Sequence, residues 1–276
     1  MDHAEIITKT INFVKDTLKN AEGGHDWWHI YRVWNNAKLI AQTEPANLLI
    51  VELAALLHDI ADSKFNNGDE EIGPATAGNY LRSIGIDQET TLQVQQIIRH
   101  LSFKSGFDGA VFHSPELAIV QDADRLDAMG AIGIARTFSY GGFKGREIYN
   151  PEIEPDLHLS KEEYKNSTAP SVNHFYEKLL LLKDKMNTPT GRQLAQQRHE
   201  FMEIYLKQFY LECKHWLNTK FLILRPWTDK TGKKSYFNSM QLWKINILSG
   251  AGSAPAPEYA PPADISSAPE DDDLPF

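Results

Sequence analysis

The chain contains very little cysteine, since Cys213 is the only one among 276 residues. A single cysteine cannot form an intramolecular disulfide, which fits a reducing compartment. No apolar run approaches the ~20 residues that span a bilayer, and the N-terminus lacks the basic and apolar regions of a signal peptide. We therefore expect a cytoplasmic protein that does not associate with membranes.

Positive charge is missing from the last part of the chain. Between Ala251 and Phe276 there is no Lys or Arg, whereas six acidic residues there account for most of the net charge of −9. Residues 249–276 are otherwise mostly Gly, Ala, Ser and Pro, so we predict a disordered acidic tail that cannot bury enough apolar surface to fold. The acidic balance also argues against direct nucleic-acid binding.

Long alternating runs of polar and apolar residues, the pattern of a half-buried strand, are also missing before residue 218. Apolar residues recur instead at helical spacing, which predicts one all-α domain over residues 1–217. The segment 141–155 is rich in Gly, Pro and charge and is predicted to be a long loop. Residues 218–248 form a junction segment with two short strand patterns, 221–224 and 235–237, around a turn at 229–232. The predicted helices cover residues 6–18, 26–42, 48–60, 70–84, 88–101, 115–129, 161–185 and 189–217.

Four residues predict a metal site. His58 and Asp59 follow an almost continuous apolar run that begins at Leu48, so they lie where burial without partners is costly. A divalent ion removes that cost because it binds neutral imidazole and carboxylate directly. His29, on the second predicted helix, and Asp124, on a later one, complete the set. This mixture suits one Mn, Fe, Co, Ni or Mg ion better than a structural zinc, and such an ion activates water near neutral pH.

The neighbouring acids leave part of this assignment open. Asp122 and Asp127 compete with Asp124 for the same ligand role, and the residues alone do not decide between them. Asp62 lies three residues after Asp59, on the same face if the helix continues. It is the candidate base or water-orienting group.

The order of these residues resembles the H…HD…D signature of the HD-domain superfamily, an all-helical group of metal-dependent phosphohydrolases. Six segments are similar to motifs of its YedJ-like branch, namely 24–33, 56–62, 120–128, 131–136, 140–142 and 173–179. The resemblance covers about residues 1–215 and implies an HD helical bundle with Asp124 as the fourth ligand. It also implies hydrolysis of a nucleotide or another small phosphoester through a metal-activated water.

Further polar residues are candidates for catalysis and substrate binding. His25 lies one turn before His29 and is grouped with Asp62 and Arg125 as catalytic, although a position in solvent explains His25 equally well. Arg and Lys bind phosphate oxygens, and imidazole can assist them. The candidate substrate-binding residues are Arg32, His100, Lys104, Arg136, Lys144 and Arg146.

Ordinary structural roles compete with several of these assignments. Asp26 precedes the second helix and is explained by N-capping. His100 ends an apolar helical pattern, where a hydrogen-bonded structural histidine is expected more often than a ligand. The Trp27–Trp28 pair is expected in the core rather than as a platform for a nucleotide base.

The chain ends in acidic residues followed by an apolar C-terminal phenylalanine. Residues 270–276 resemble the C-terminal tip of bacterial single-stranded DNA-binding proteins, and 227–237 resemble their late hairpin, but the earlier strands of an OB barrel are missing. Such a tip docks into a small basic-rimmed pocket of a partner. The candidate partner-binding residues are Asp272, Asp273, Leu274, Pro275 and Phe276. The alternative function is a non-catalytic nucleotide- or metal-sensing module that this tail recruits to DNA replication and repair proteins.

Overall fold

The computed structural model describes residues 1–19, 26–61, 71–101, 112–158, 167–213, 227–228 and 234–235. The chain divides into two compact units, Met1–Lys220 and Phe221–Phe276. The described part of the first unit is built from α-helices and one 3-10 helix, which confirms the all-α fold. Its helices are α1 (His3–Thr17), α2 (Trp27–Ala41), α3 (Leu48–Leu57), α4 (Ile72–Ser83), α5 (Gln88–Leu101), α6 (Pro115–Asp127), α7 (Gly130–Phe143), α8 (Asn173–Glu177), the 3-10 helix Leu179–Lys185 and α9 (Pro189–Glu212).

Helix α3 forms the centre of the core. Its sequence is rich in Leu and Ala, which favour helices, and the Asn47 side chain caps its start by accepting from the Leu49 backbone N–H at 3.1 Å. Every residue from Ile50 to Leu57 is buried, and the helix packs against α1, α2, α5 and α6. Each fully buried leucine contributes about 1.5–3 kcal/mol to the free energy of unfolding. The chain leaves this helix at His58, so the apolar run delivers the His58–Asp59 pair to one end of the core.

Helices α2 and α6 pack against each other and carry the other predicted ligands. The Asp26 carboxylate caps α2 by accepting from the His29 backbone N–H at 2.9 Å, as expected for an N-cap. Ser114 caps α6 in the same way, and Pro115 occupies its first position. These caps fix where both helices begin, and therefore which faces carry His29 and Asp124.

The prediction of one helix over residues 161–185 is wrong for the described residues from 167 onward. The backbone N–H groups of Ser171 and Val172 donate to the carbonyls of Glu147 and Ile148, at 2.8 and 3.1 Å, so they cannot form helical hydrogen bonds. Helix α8 contains only five residues. Lys178 has non-helical backbone angles and separates α8 from the 3-10 helix. A tertiary pairing therefore overrides the local helical pattern.

The predicted loop over residues 141–155 is also wrong at its start, because α7 continues to Phe143. Gly141 is buried and lies so close to the Ser171 side chain that a Cβ atom at position 141 would overlap its hydroxyl. Glycine at this position thus serves close packing rather than a turn. Residues 144–155 contain no α-helix, as predicted.

In the second unit, the described residues form two short antiparallel strands, β1 (Trp227–Thr228) and β2 (Lys234–Ser235), with Trp227 opposite Ser235. Strand β2 overlaps the predicted strand 235–237, whereas the predicted strand 221–224 and the acidic tail lie outside the described residues. The domain boundary after residue 217 stays a prediction. No helix in the described ranges is both long enough and apolar enough to cross a membrane.

Candidate metal centre

Three helix ends bring the predicted ligands together. His29 lies in the first turn of α2, His58 and Asp59 directly follow α3, and Asp124 lies in the last turn of α6. The imidazole of His29 is only 2% exposed, whereas the Asp124 carboxylate is 41% exposed. The site therefore has a buried nitrogen side and an oxygen side that faces solvent.

Ligand atoms of His29, His58 and Asp59 lie close together, and Asp124 lies beside the two imidazoles. The Nε2 atoms of His29 and His58 lie 3.3 Å apart, and Oδ1 of Asp124 lies 3.6 Å from the first and 3.9 Å from the second. Oδ2 of Asp59 lies 3.9 Å from Nε2 of His29. Atoms bound ~2.1 Å from a single ion are about 3 Å apart when adjacent and about 4.2 Å apart when opposite. The four measured separations fall between these limits, whereas Asp124 does not belong to the group whose ligand atoms all lie within 4.8 Å of one another.

The hydrogen bonds of the two imidazoles determine which nitrogens are available. Nδ1 of His58 lies 2.9 Å from the carbonyl oxygen of Ala55, which can only accept, so Nδ1 carries the proton. Nδ1 of His29 faces the carboxylate of Asp127 at 2.8 Å and is protonated for the same reason. With Nδ1 protonated, each neutral ring directs its Nε2 lone pair toward the other ring. A divalent ion that lies between them binds both nitrogens and the nearby carboxylates directly.

The donor set therefore fits a divalent metal ion. His29, His58 and Asp59 form a group, within the described parts of the chain, whose ligand atoms all lie within 4.8 Å of one another. Asp124 adds a carboxylate at the solvent side. Mixed imidazole and carboxylate ligands match Mn, Fe, Co, Ni or Mg in the manner expected from the sequence.

The three competing acids of α6 differ in how their oxygens are used. The buried Asp122 carboxylate accepts from the backbone N–H groups of Asn187 and Thr188. The carboxylate of Asp127 accepts from side chains of α2 and α7. Among these acids, Asp124 has an oxygen that lies within 4 Å of both Nε2 atoms. The geometry therefore favours Asp124 as the fourth ligand.

Asp127 is a site residue that the sequence analysis considered only as a competing ligand. Its carboxylate is 1% exposed and accepts from Nδ1 of His29 and from the guanidinium groups of Arg32 and Arg136. Burial acts to raise the pKa of Asp127, but the hydrogen bonds from His29 and Arg32 and the charge of Arg136 outweigh it and hold this pKa well below its usual range. The carboxylate is thus ionised whenever the protein is folded near neutral pH. The sequence signal for this role is that Asp127 lies about one helical turn after Asp124, and therefore close to the metal site.

The described basic candidates have other contacts. Arg32 and Arg136 donate to Asp127, and Arg125 donates to the carbonyl of Lys185 at 2.6 Å, at the end of the 3-10 helix. The His100 ring lies 2.9 Å from the Gln96 carbonyl, consistent with a structural histidine. Their catalytic and substrate-binding roles stay predictions.

Two basic candidates follow α7. The ammonium group of Lys144 lies 5.2 Å from the centre of the Phe143 ring, and Arg146 donates to the carbonyl of Ser167 at 2.6 Å. Several other predictions lie outside the described residues, namely those for His25, Asp62, Lys104, Asp272, Asp273, Leu274, Pro275 and Phe276.

The expectation that both tryptophans of α2 lie in the core is wrong for Trp28. Trp27 is partly buried against the core, but Trp28 is 61% exposed and makes an edge contact with Tyr31. On a helix, neighbouring residues point about 100° apart. Because His29 faces the core, its neighbour Trp28 is directed toward solvent.

Several known proteins are similar to this chain in sequence and in fold. The family model described as HD domain matches residues 27–129. The uncharacterized protein YpgQ of Bacillus subtilis (strain 168) is 38% identical over 199 residues, which cover 71% of this chain and 88% of YpgQ. The crystal structure of an HD-superfamily hydrolase from Bacillus thuringiensis is 44% identical and covers 78% of this chain and 100% of that chain, with a TM-score of 0.63. The chain belongs to the HD superfamily.

The structure of YpgQ in complex with ADP also matches this HD protein, with 37% identity, a TM-score of 0.62 and coverage of 77% of this chain and 97% of that chain. The HD-domain match spans His29, His58, Asp59 and Asp124. An HD domain implies a divalent metal ion, and the fold is that of HD-superfamily hydrolases.

Proposed function

We propose that this chain is a metal-dependent phosphohydrolase that acts on a nucleotide or another small phosphoester. The observation that carries the proposal is the group of His29, His58 and Asp59, whose ligand atoms all lie within 4.8 Å of one another, with the Asp124 carboxylate beside both imidazoles. Membership of the HD superfamily supports the reaction class. The ADP bound to YpgQ supports a nucleotide as the substrate class.

The proposed roles follow from the contacts of each side chain. His29, His58, Asp59 and Asp124 hold one divalent ion, which when bound supplies an activated water and an electrostatic anchor for a phosphoester oxygen. The two histidines lie on the buried side and keep their Nε2 lone pairs directed at the ion position. The exposure of Asp124 leaves the opposite side open to a substrate.

The substrate-binding part of the proposal rests on two basic residues at and after the end of α7. Lys144 is exposed at the end of α7, and Arg146 follows it in the adjacent segment without α-helix. Their positive charges suit the phosphate groups of a nucleotide. A chain with a net negative charge attracts such anions only where basic side chains lie together. We also retain Asp62 as the base or water-orienting group from its nearness to Asp59 in the sequence, although α3 ends at Leu57 and helical spacing does not extend to Asp62.

The test combines metal analysis with turnover. Purified full-length chain is assayed for bound metal and for phosphate release from a panel of nucleotides and phosphomonoesters, with and without EDTA. We expect one transition metal per chain and phosphate release that EDTA abolishes and Mn²⁺ restores. Asp59→Ala should lose both, whereas the control Asp16→Ala, which changes an exposed carboxylate of α1, should lose neither.

The outcomes separate the two functions under consideration. Metal binding without turnover on any substrate would favour the alternative, a sensing module recruited through the acidic tail. In that case, pull-down of replication and repair proteins should depend on Phe276. Unchanged metal content in Asp59→Ala would refute the ligand assignment itself.

A further inference from the structure

We infer that Asp127 is the residue that positions His29 for metal binding, and that Arg32 and Arg136 hold Asp127 rather than the substrate. This inference rests on the metal site proposed above. It assigns a role to a buried carboxylate that is not itself a ligand, and it changes the role of two arginines that the sequence suggested as phosphate-binding residues.

The Asp127 carboxylate has both oxygens occupied by N–H donors. Oδ1 accepts from Nε of Arg32 at 2.6 Å. Oδ2 accepts from Nδ1 of His29 at 2.8 Å, from Nη1 of Arg136 at 2.7 Å and from Nη2 of Arg32 at 3.0 Å. With four donors around two oxygens, this carboxylate has little remaining capacity to accept from a water or bind an ion.

The bond to Asp127 fixes the tautomer and orientation of the His29 ring. An ionised carboxylate can only accept, so Nδ1 of His29 carries the proton and Nε2 keeps its lone pair. The ring then points this lone pair at Nε2 of His58, 3.3 Å away. Carboxylates that hold the second nitrogen of a metal-binding histidine commonly raise metal affinity.

The two arginines offset the cost of burying the negative charge of Asp127. A carboxylate that is 1% exposed is costly unless it is paired, and Arg32 and Arg136 provide ion pairs from two different helices. Arg32 lies three residues after His29, on the same face of α2, whereas Arg136 lies on α7. The cluster therefore ties α2, the end of α6 and α7 together directly behind the metal ligand.

The two interpretations of the arginines predict different kinetic effects. If Arg32 bound substrate phosphate, Arg32→Gln would raise KM and leave metal affinity unchanged. If it holds Asp127, the same change weakens metal binding, and at saturating metal it leaves KM near the wild-type value. The change in metal affinity, compared with the change in KM, therefore distinguishes a residue that holds Asp127 from one that binds substrate.

The experiment measures Mn²⁺ affinity directly. Full-length chain is stripped with EDTA, dialysed and titrated with Mn²⁺ by calorimetry, for wild type, Asp127→Asn and Arg32→Gln. We expect Asp127→Asn to raise the Kd for Mn²⁺ about 10- to 100-fold, and Arg32→Gln to raise it by a smaller factor. The Asn side chain keeps the size of Asp but removes the charge that enforces the tautomer.

A matched control separates positioning from general destabilisation. Asp122 is also a buried carboxylate of α6, but it accepts from Asn187 and Thr188 on the far side of the helix. Asp122→Asn should lower the unfolding midpoint of the metal-free protein while its Kd for Mn²⁺ stays within twofold of wild type. Titrations are made well below the midpoint of each variant, so that all chains are folded.

Each outcome bears on the inference. A Kd for Asp127→Asn within twofold of wild type, or an equal rise in Asp122→Asn, would overturn it. If Asp127→Asn does not fold, Arg32→Gln decides, because its side chain is partly exposed and its loss leaves the core intact. If wild type itself binds no Mn²⁺, the proposed function fails too, whereas normal binding by both wild type and Asp127→Asn refutes the positioning role alone.

Discussion

The carboxylate of Asp122 joins α6 to the start of α9, and its replacement by asparagine should lower stability substantially. Oδ1 accepts from the Asn187 backbone at 2.8 Å and from its side chain at 3.0 Å. Oδ2 accepts from the backbone and hydroxyl of Thr188 at 2.7 and 2.8 Å. The Thr188 hydroxyl in turn caps α9 by accepting from the Gly191 backbone N–H. One carboxylate thus contacts both the end of the preceding segment and the residue that caps α9.

The size of the effect follows from the donors that lose a charged acceptor. The more favourable orientation of Asp122→Asn keeps the amide oxygen on Thr188 and turns the amide nitrogen toward the exposed Asn187, whose backbone N–H then keeps only the bond of 3.0 Å. Hydrogen bonds to charged groups contribute about 1.5–3 kcal/mol and neutral ones about 0.5–1.5 kcal/mol, so we expect a loss of about 2 kcal/mol. For a domain of this size each kcal/mol lowers the unfolding midpoint by about 2–4 °C, which gives a decrease of about 6 °C.

The assay is thermal unfolding followed by circular dichroism in EDTA, so that metal binding does not contribute to stability. Asp184→Asn is the matched control, because it makes the same chemical change at an exposed position just before this junction and should alter stability by less than about 0.5 kcal/mol. A decrease of less than about 2 °C in Asp122→Asn would refute the reasoning, since it would mean that the charge contributes less than about 1 kcal/mol to these hydrogen bonds.

Two further predictions concern the helical core and its pH dependence. Phe175→Ala should cost about 3–5 kcal/mol because Phe175 is fully buried, whereas Trp28→Ala should cost less than about 0.5 kcal/mol because its ring is exposed; urea unfolding measures both. Burial, together with the charges of Lys178 and Arg146, lowers the pKa of His174 from its usual 6.5 to about 4. The unfolded chain therefore takes up a proton that the folded chain excludes, so about 3 kcal/mol of stability should be lost as the pH falls from 6.5 to 4. The unfolding free energy of His174→Asn, measured in EDTA, should vary less over this window, and an unchanged slope would contradict the prediction.

Much of the fold could be predicted because local signals agree with the tertiary structure. Helices α2 and α6 begin where Asp26 and Ser114 provide caps, and the apolar spacing of both helices matches the faces they bury. The run from Leu48 is so apolar that it has to be buried, and its length favours a helix in the core. The exceptions are segments whose backbone donors find distant partners. Ser171 bonds to the carbonyl of Glu147, a pairing that helical spacing in the local sequence cannot reveal.

The candidate site shows a similar division between local and distant information. At ~100° per residue, Asp122 and Asp124 point to nearly opposite sides of α6, so helix geometry alone argues against their sharing one ion. Asp124 and Asp127 differ by only about 60° on this wheel, and local spacing cannot rank them. What separates them is contributed by other helices. Arg32 and Arg136 approach from α2 and α7 and occupy Asp127, while Asp124 stays beside the imidazoles and open to solvent. The pattern of residues therefore predicts a metal site, and the packing of three helices determines which acid lies beside both Nε2 atoms and which accepts from Nδ1 of His29.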